Sequence, residues 1–333
     1  MNFYTLTFKK KILLTLLAIF ISFVVLDIIL ASLVKMKSTK ESFIDDKFSK
    51  ISHYLKNNPD TKDIVFVGSS RTFFHIATNT FKEADLEVYN FGISGAQFED
   101  YPTIIDAIIK HPPKKVIISL NVNRLYDTLN ISGLPTLEEA SYYYDIDKGM
   151  FVSSLLQWGI NLHQFLVHSQ TIYYKIQEFY TRFSPKITSK EKNQSVTSYD
   201  TRVGCHVFDK QNIGGKHLTL KCTNGDGIRI GNQALPPKQE PIDLKHLNPK
   251  SIAYIQKMID TLNHHDIPVT ILLQPILHTP YHYDKNTVQS AFHDVKIIDL
   301  SQHHIDDKLW ADEGHLNNKG RIYYSQYLSD IIQ

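Results

Sequence analysis

The sequence predicts an α/β protein with a central parallel sheet, an N-terminal transmembrane helix and one large insertion. Short apolar runs rich in β-branched residues alternate with amphipathic segments of helical length, which is the pattern of βαβ units. This series stops near residue 131 and resumes near residue 247. A chain of 333 residues fits one α/β domain that an insertion interrupts.

The overall charge gives no indication of a nucleic-acid partner. Lys and Arg number 36 and Asp and Glu number 34, which leaves a formal net charge of +2. A nearly balanced chain produces no strong field toward a polyanion. We therefore expect no nucleic acid among its partners.

An apolar run over residues 12–34 predicts an N-terminal membrane anchor. At about 1.5 Å per residue, a helix of this length reaches across the ~30 Å hydrocarbon layer. Lys9, Lys10 and Lys11 precede it and favour a cytoplasmic N-terminus by the positive-inside rule. A cleaved signal peptide is the alternative, although the run is long and lacks a clear small-x-small cleavage site. We predict a cytoplasmic tip and anchor over residues 1–40, with the rest of the chain outside the cytoplasm.

The later elements follow from the spacing of apolar residues, which predicts an amphipathic stalk helix over residues 41–60 and an α/β domain over residues 61–333. The predicted strands are DIVFVG (63–68), LEVYNFG (86–92), KKVIISL (114–120), IPVTILLQP (267–275) and VKIIDLS (295–301). The predicted helices are FFHIATNTFKEA (73–84), FEDYPTIIDAIIKH (98–111), SIAYIQKMIDTLNHH (251–265) and NNKGRIYYSQYLSDIIQ (317–333).

The insertion, at about residues 131–247, differs in character from the rest of the chain. Its glycine-rich part, residues 200–235, indicates a loop or hairpin region that contains Cys205 and Cys222. These cysteines either are joined by a disulfide or remain as two buried free thiols. They are not at zinc-ligand spacing, so we expect no metal site. An insertion at the strand ends of such a sheet shapes a substrate cleft or mediates a protein contact.

A glycine and two serines follow the first predicted strand directly, as Gly68, Ser69 and Ser70. Nucleophiles and ligands of open α/β sheets lie at the carboxyl ends of strands. A serine at that point is exposed on a tight turn, next to N–H groups that can stabilise an oxyanion. The alternative is that one of the serines only caps the following helix.

A serine nucleophile needs a base, and WADEGHLNNKG near the C-terminus offers one. Asp312 and His315 stand three residues apart, so the carboxylate can accept from one ring nitrogen while the other accepts the serine proton. The alternative is a helix-terminal Asp beside an unrelated surface His. The doublets 264–265 and 303–304 are interpreted as surface histidines, because adjacent side chains point apart.

Four short motifs follow one another along the chain: Gly-x-Ser (68–70), the glycine of GISG (92–95), the Asn of NVNR (121–124) and Asp-x-x-His-Leu-Asn (312–317). Together and in this order they resemble the motifs of the SGNH (GDSL-type) hydrolase superfamily. Within it, the chain is most similar to membrane-anchored bacterial D-alanyl transfer and alginate-type O-acetyltransferase proteins. The resemblance covers about residues 63–127 and 250–333, and it implies a three-layer α/β/α, flavodoxin-like sheet.

The resemblance implies a role for each matching residue. Ser70 is the expected nucleophile, His315 the general base and Asp312 the acid that orients it. The expected oxyanion donors are the N–H of Ser70, the N–H of Gly95 and the side-chain amide of Asn123.

The chain departs from the family pattern at two places. Ser69 stands where the first block usually has an acid. The third block reads Asn121-Val122-Asn123-Arg124 instead of Gly-x-Asn-Asp, which leaves Asn121 as the alternative to Asn123.

The resemblance further implies a serine acyl-ester hydrolase or O-acyltransferase that acts on an envelope glycan or an acylated small molecule and needs no cofactor. Transfer would require a membrane protein that delivers the acyl group. The implied location is the bacterial inner membrane, with a single span and a periplasmic catalytic domain. The alternative is a catalytically inactive SGNH-fold protein that binds or assembles an envelope polymer.

Overall fold

The computed structural model of the chain describes the sheet, the helices around it and part of the insertion. The described residues are 10–22, 47, 50, 51, 53–55, 62–97, 100–129, 144, 148, 152, 198–201, 203–213, 217–231, 235–238, 240–278 and 281–332.

Eleven strands lie in the described part of the chain, and five of them form the central sheet. The strands are β1 (Ile64–Gly68), β2 (Val88–Gly92), β3 (Lys115–Leu120), β4 (Ser198–Asp200), β5 (Cys205–Ile213), β6 (His217–Cys222), β7 (Gly227–Ile230), β8 (Ile242–Asp243), β9 (Val269–Leu273), β10 (Tyr281–His282) and β11 (Lys296–Asp299). The central sheet has the order β2-β1-β3-β9-β11, and all its neighbours pair in parallel. The prediction of an α/β protein with a parallel sheet is confirmed.

The helices pack on both faces of this sheet. They are α1 (Ser70–His75), α2 (Thr78–Lys82), α3 (Pro102–Lys110), α4 (Pro249–His264), α5 (Lys285–Ser290) and α6 (Asn318–Ile332). The start of α4 shows how local sequence sets a boundary. Asn248 accepts from the N–H groups of Lys250 and Ser251, and Pro249 occupies the first helical position, where no N–H is needed.

Alternate residues of the strands supply two hydrophobic cores. In β1, Val65 and Val67 pack with α3 and α4, whereas Ile64 and Phe66 pack with α2 and α6. Burial on both faces explains why each strand reads as a continuous apolar run.

The predicted helix over residues 73–84 is instead two short helices, α1 and α2, separated at Ile76 and Ala77. The backbone groups at this break bond to distant side chains. The N–H of Ala77 donates to Ser325 Oγ at 2.8 Å, and the carbonyl of Ile76 accepts from Arg321 at 2.6 Å. These partners replace the hydrogen bonds of a continuous helix.

Strands β4 to β7 of the insertion form an antiparallel sheet in the order β4-β5-β6-β7, and β8 pairs in parallel with β10. A disulfide joins Cys205 to Cys222, with 5.9 Å between their Cα atoms, so the disulfide alternative is confirmed. Both cysteines are buried in a small core that includes Leu220 and Ile228. Of the earlier part of the insertion, residues 136–184, almost all lie outside the described residues.

The N-terminal prediction needs a correction. Among the described residues, no helix combines the length and the apolar character that a bilayer crossing requires, so the prediction of a single-pass inner-membrane protein is wrong. The helical residues described in the apolar run are 10–22. At about 1.5 Å per residue they are shorter than the ~30 Å hydrocarbon layer. The rest of the run lies outside the described residues.

The predicted stalk helix packs against the α/β domain where it is described. Tyr54 is 1% exposed and donates to the carbonyl of His111 at 2.6 Å. Ile51 and Leu55 pack against the same core.

Candidate active site

A cavity of about 140 Å³ opens at the carboxyl ends of β1, β2 and β3. The strand order reverses between β1 and β3, and that point is where open α/β sheets bind ligands. The residues that line the cavity are Ser69, Ser70, Gly95, Ala96, Gln97, Tyr101, Ser119, Leu120, Asn121 and Arg124. The predicted nucleophile and one predicted oxyanion glycine therefore lie in the same cavity wall.

Ser70 is the first residue of α1, directly after the turn that ends β1. The residue before it, Ser69, takes the N-cap position but makes no side-chain hydrogen bond to the helix. The alternative interpretation, a serine whose side chain caps the helix, is therefore not realised at Ser69.

Gly95 follows β2 and has a φ of 83°, in the left-handed region that favours glycine. This conformation belongs to the turn that brings residues 95–97 to the cavity. In the part of the chain that the structure describes, the N–H of Gly95 has no acceptor.

Asn121, and not Asn123, lines the cavity. Its Oδ1 accepts from Arg71 Nη1 at 2.9 Å, which leaves its Nδ2 to donate elsewhere. Asn123 instead donates to Asp127 Oδ2 at 3.4 Å, in an exposed position. The structure thus brings the alternative residue, Asn121, to Ser70 and Gly95. Asn123, the expected donor, is not among the residues that line the cavity, although it belongs to the same 3-10 helix, Val122–Leu125, as Arg124, which does line it.

Asp312 and His315 form a hydrogen-bonded pair on the loop before α6. His315 Nδ1 lies 2.8 Å from Asp312 Oδ1, and the same oxygen accepts from the N–H of Gly314 at 2.8 Å. The loop is closed by a hydrogen bond from the N–H of Ala311 to the carbonyl of His315. Because Nδ1 faces the carboxylate, Nε2 is the nitrogen left to accept a proton.

The charge state of His315 follows from its surroundings. Burial, the Arg229 guanidinium and the Arg71 guanidinium lower the pKa of His315 to about 3, while Glu313 acts in the opposite direction. The Asp312 carboxylate also favours the charged ring. The imidazole is therefore neutral near pH 7, which is the form that a general base requires.

The Asp312–His315 pair packs against the helix that begins at Ser70. Phe74, one turn after Ser70 on α1, meets the His315 ring edge-on with 5.0 Å between ring centroids. Among the described residues, no hydrogen bond joins Ser70 to His315, and the pair lies outside the cavity wall. Hydrogen bonds of this kind are often long in unliganded enzymes and shorten when substrate binds.

The ring of His75 connects α1 to the Asp312–His315 loop. It is fully buried, with Nε2 3.3 Å from the carbonyl of Gly314 and Nδ1 3.3 Å from Gln274 Oε1. Gln274 also bonds to Ser119 Oγ at 2.7 Å. Burial lowers the pKa of His75 well below its ordinary value, with Arg71 contributing. A neutral ring is satisfied when the Gln274 amide nitrogen faces Nδ1.

Metal ligation has no candidate in the described residues, where no group of three or more His, Cys, Asp or Glu side chains is placed to hold an ion. Both members of the doublet His264 and His265 are exposed at the end of α4.

No family model and no curated protein matches this sequence. Among solved structures, one match is provisionally described as a platelet activating factor from Streptococcus pneumonia. The two share 11% sequence identity, with a TM-score of 0.36, over 87% of this chain and 94% of the other. A TM-score of that size establishes no common fold, so the chemistry of the site rests on its own geometry.

Proposed function

We propose that this chain is a serine acyl-ester hydrolase or O-acyltransferase of the SGNH type, which works through an acyl-enzyme on Ser70. One observation supports the proposal most. Ser70, Gly95 and Asn121 line a single cavity at the switch point of the sheet, and the Asp312–His315 pair packs on the helix that Ser70 begins.

The reaction follows from these positions. Ser70 Oγ attacks the ester carbonyl as its proton passes to His315 Nε2, and Asp312 holds the ring through Nδ1. The oxyanion is stabilised by the N–H groups of Ser70 and Gly95 and by the Asn121 amide. The alcohol leaves with the proton from His315. Water or a sugar hydroxyl then attacks the acyl-enzyme, which gives hydrolysis or transfer.

Labelling with a fluorophosphonate tests the proposal, because it phosphonylates an activated serine and releases fluoride. We expect wild-type protein to be labelled on one serine and Ser70→Ala to be unlabelled. Ser69→Ala is the matched control, because Ser69 lines the same cavity. We expect this variant to be labelled like the wild-type protein. Mass spectrometry of the labelled peptide identifies the serine.

A folded wild-type protein that takes up no fluorophosphonate would contradict the enzyme proposal. That result would favour the alternative, a binding or assembly protein that retains the fold without the activity. Labelling that persists in Ser70→Ala would assign the nucleophile to another residue.

Asn121→Ala is expected to lower the kcat of ester cleavage by about 10²- to 10³-fold, because it removes one oxyanion donor. Asn123→Ala is the matched control, two residues away and bonded to Asp127 in an exposed position, and is expected to change kcat less than threefold. Steady-state hydrolysis of p-nitrophenyl acetate measures both. If Asn123→Ala lowers kcat more than Asn121→Ala does, the amide that stabilises the oxyanion belongs to Asn123.

A further inference from the structure

One strand of the insertion reaches the candidate active site. The strand β7 packs against α1, and Gly227 at its start lies so close to Phe73 that a Cβ there would be 2.3 Å from the ring. The next residue, Ile228, is fully buried in the core of the insertion sheet. Arg229 is therefore carried on a strand whose position against α1 is set by close packing.

Arg229 contacts the candidate catalytic pair directly. Its Nη1 forms an ion pair with Asp312 Oδ2, while Asp312 Oδ1 bonds to His315. The guanidinium also lies over the ring of Phe74, with 4.6 Å from Cζ to the ring centroid, and Phe74 meets His315 edge-on. The side chains of Arg229 and Asp312 are 15% and 13% exposed, so solvent screens this pair only partly.

The two carboxylate oxygens thus have different partners. With Oδ2 bonded to a guanidinium, rotation of the Asp312 carboxylate is restricted and Oδ1 stays toward His315 Nδ1. A catalytic carboxylate without such a partner is oriented only by its own loop.

We propose that Arg229 is a positioning residue, by which the insertion orients the Asp312 carboxylate toward His315. The inference rests on the proposed function of Ser70 and His315. It assigns the insertion a part in the reaction besides any part in substrate binding.

The charge of Arg229 has a definite expected effect. The groups that face His315 are Asp312 and Glu313 on its own loop, Arg71 and His75 on α1, and Arg229 on β7. A cation beside a histidine disfavours its protonated form, and Arg229 lowers the pKa of His315. Removing the cation should raise this pKa, so that activity is lost at a higher pH when the solution is acidified.

The test is the pH dependence of the second-order rate of fluorophosphonate labelling in the full chain. The acid limb is the pH range in which the labelling rate falls as the solution is acidified. In Arg229→Met, we expect the midpoint of the acid limb to rise by about one pH unit or more and the plateau rate above it to fall by about tenfold. Arg229→Lys keeps the positive charge but loses the planar guanidinium group. The midpoint of the acid limb should therefore stay near that of the wild type, while the plateau rate falls. Lys210→Met, at an exposed cation of β5, is the matched control and should match wild type.

The outcomes separate this inference from the proposed function. An unlabelled wild-type protein contradicts the role of Ser70, whereas a labelled wild type with an unchanged limb and plateau in Arg229→Met overturns the role of Arg229 alone. If Arg229→Met does not fold, as judged by circular dichroism, Arg229→Lys decides, and a wild-type plateau rate in that variant overturns the proposal.

Discussion

Replacing His315 with alanine is expected to lower the kcat of ester cleavage by about 10⁶-fold, because a serine hydroxyl without its base is a weak nucleophile. His315 bonds to Asp312 through Nδ1 and so presents Nε2 as the proton acceptor. We expect KM to change little, since the imidazole acts mainly on the transition state. Single-turnover and steady-state hydrolysis of p-nitrophenyl acetate measure the two constants.

His304→Ala is the matched control for this prediction. His304 lies in the segment between β11 and α6, is exposed and lines a different cavity, so its loss should leave kcat within twofold of wild type. A folded His315→Ala protein that keeps more than a tenth of wild-type kcat would contradict the role of His315.

The same histidine sets the expected pH profile. A general base works only when neutral, so kcat/KM falls as the pH decreases through the pKa of His315. Because burial, Arg229 and Arg71 lower that pKa to about 3, the acid limb should lie well below the ordinary value of ~6.5. Activity should therefore be level between about pH 7 and pH 6. An acid limb at or above pH 6.5 would show that substrate binding or another group controls the step.

The sequence predicts the sheet well because its signals are local. Strands buried on both faces read as apolar runs, and the turn Gly68-Ser69-Ser70 marks a strand end without knowledge of the rest of the fold. The pair Asp312 and His315 is equally local, since both residues lie on one loop.

Features that depend on distant partners could not be predicted from the sequence. The break between α1 and α2 exists because Ser325 and Arg321, about 250 residues later, bond to its backbone. The place of Asn121 in the cavity wall depends on where β3 ends and on the hydrogen bond from Arg71. Arg229 has no local motif, and only the packing of β7 against α1 brings it to Asp312.

A buried ion pair, Asp226 with Arg321, lies at the contact between the insertion and the α/β domain, and each of the two residues is 2% exposed. Asp226 Oδ2 also accepts from the N–H and the hydroxyl of Thr78 at 3.1 and 3.2 Å, and its Oδ1 accepts from Asn90 at 3.4 Å. Arg321 donates in addition to the carbonyl of Ile76. One carboxylate thus joins the insertion to α2, β2 and α6.

Replacing Asp226 with alanine is expected to lower the free energy of unfolding by about 3–5 kcal/mol, because it leaves the Arg321 charge buried without its anion. Arg321→Met in the Asp226→Ala background should recover part of this loss, since removing both charges removes the desolvation cost as well. Urea unfolding of the single and double variants measures the coupling.

The matched control is Asp106→Ala, which breaks the exposed pair of Asp106 with Lys110 on α3 and should cost about 0.5 kcal/mol or less. Equal losses in Asp226→Ala and Asp106→Ala would contradict the structural role of the buried pair. Because Asp226 directly precedes β7, we expect its loss to loosen the N-terminal end of the strand that carries Arg229. A folded Asp226→Ala protein should therefore also shift the acid limb of labelling upward, in the same direction as Arg229→Met, although its own carboxylate has no contact with Asp312 or His315.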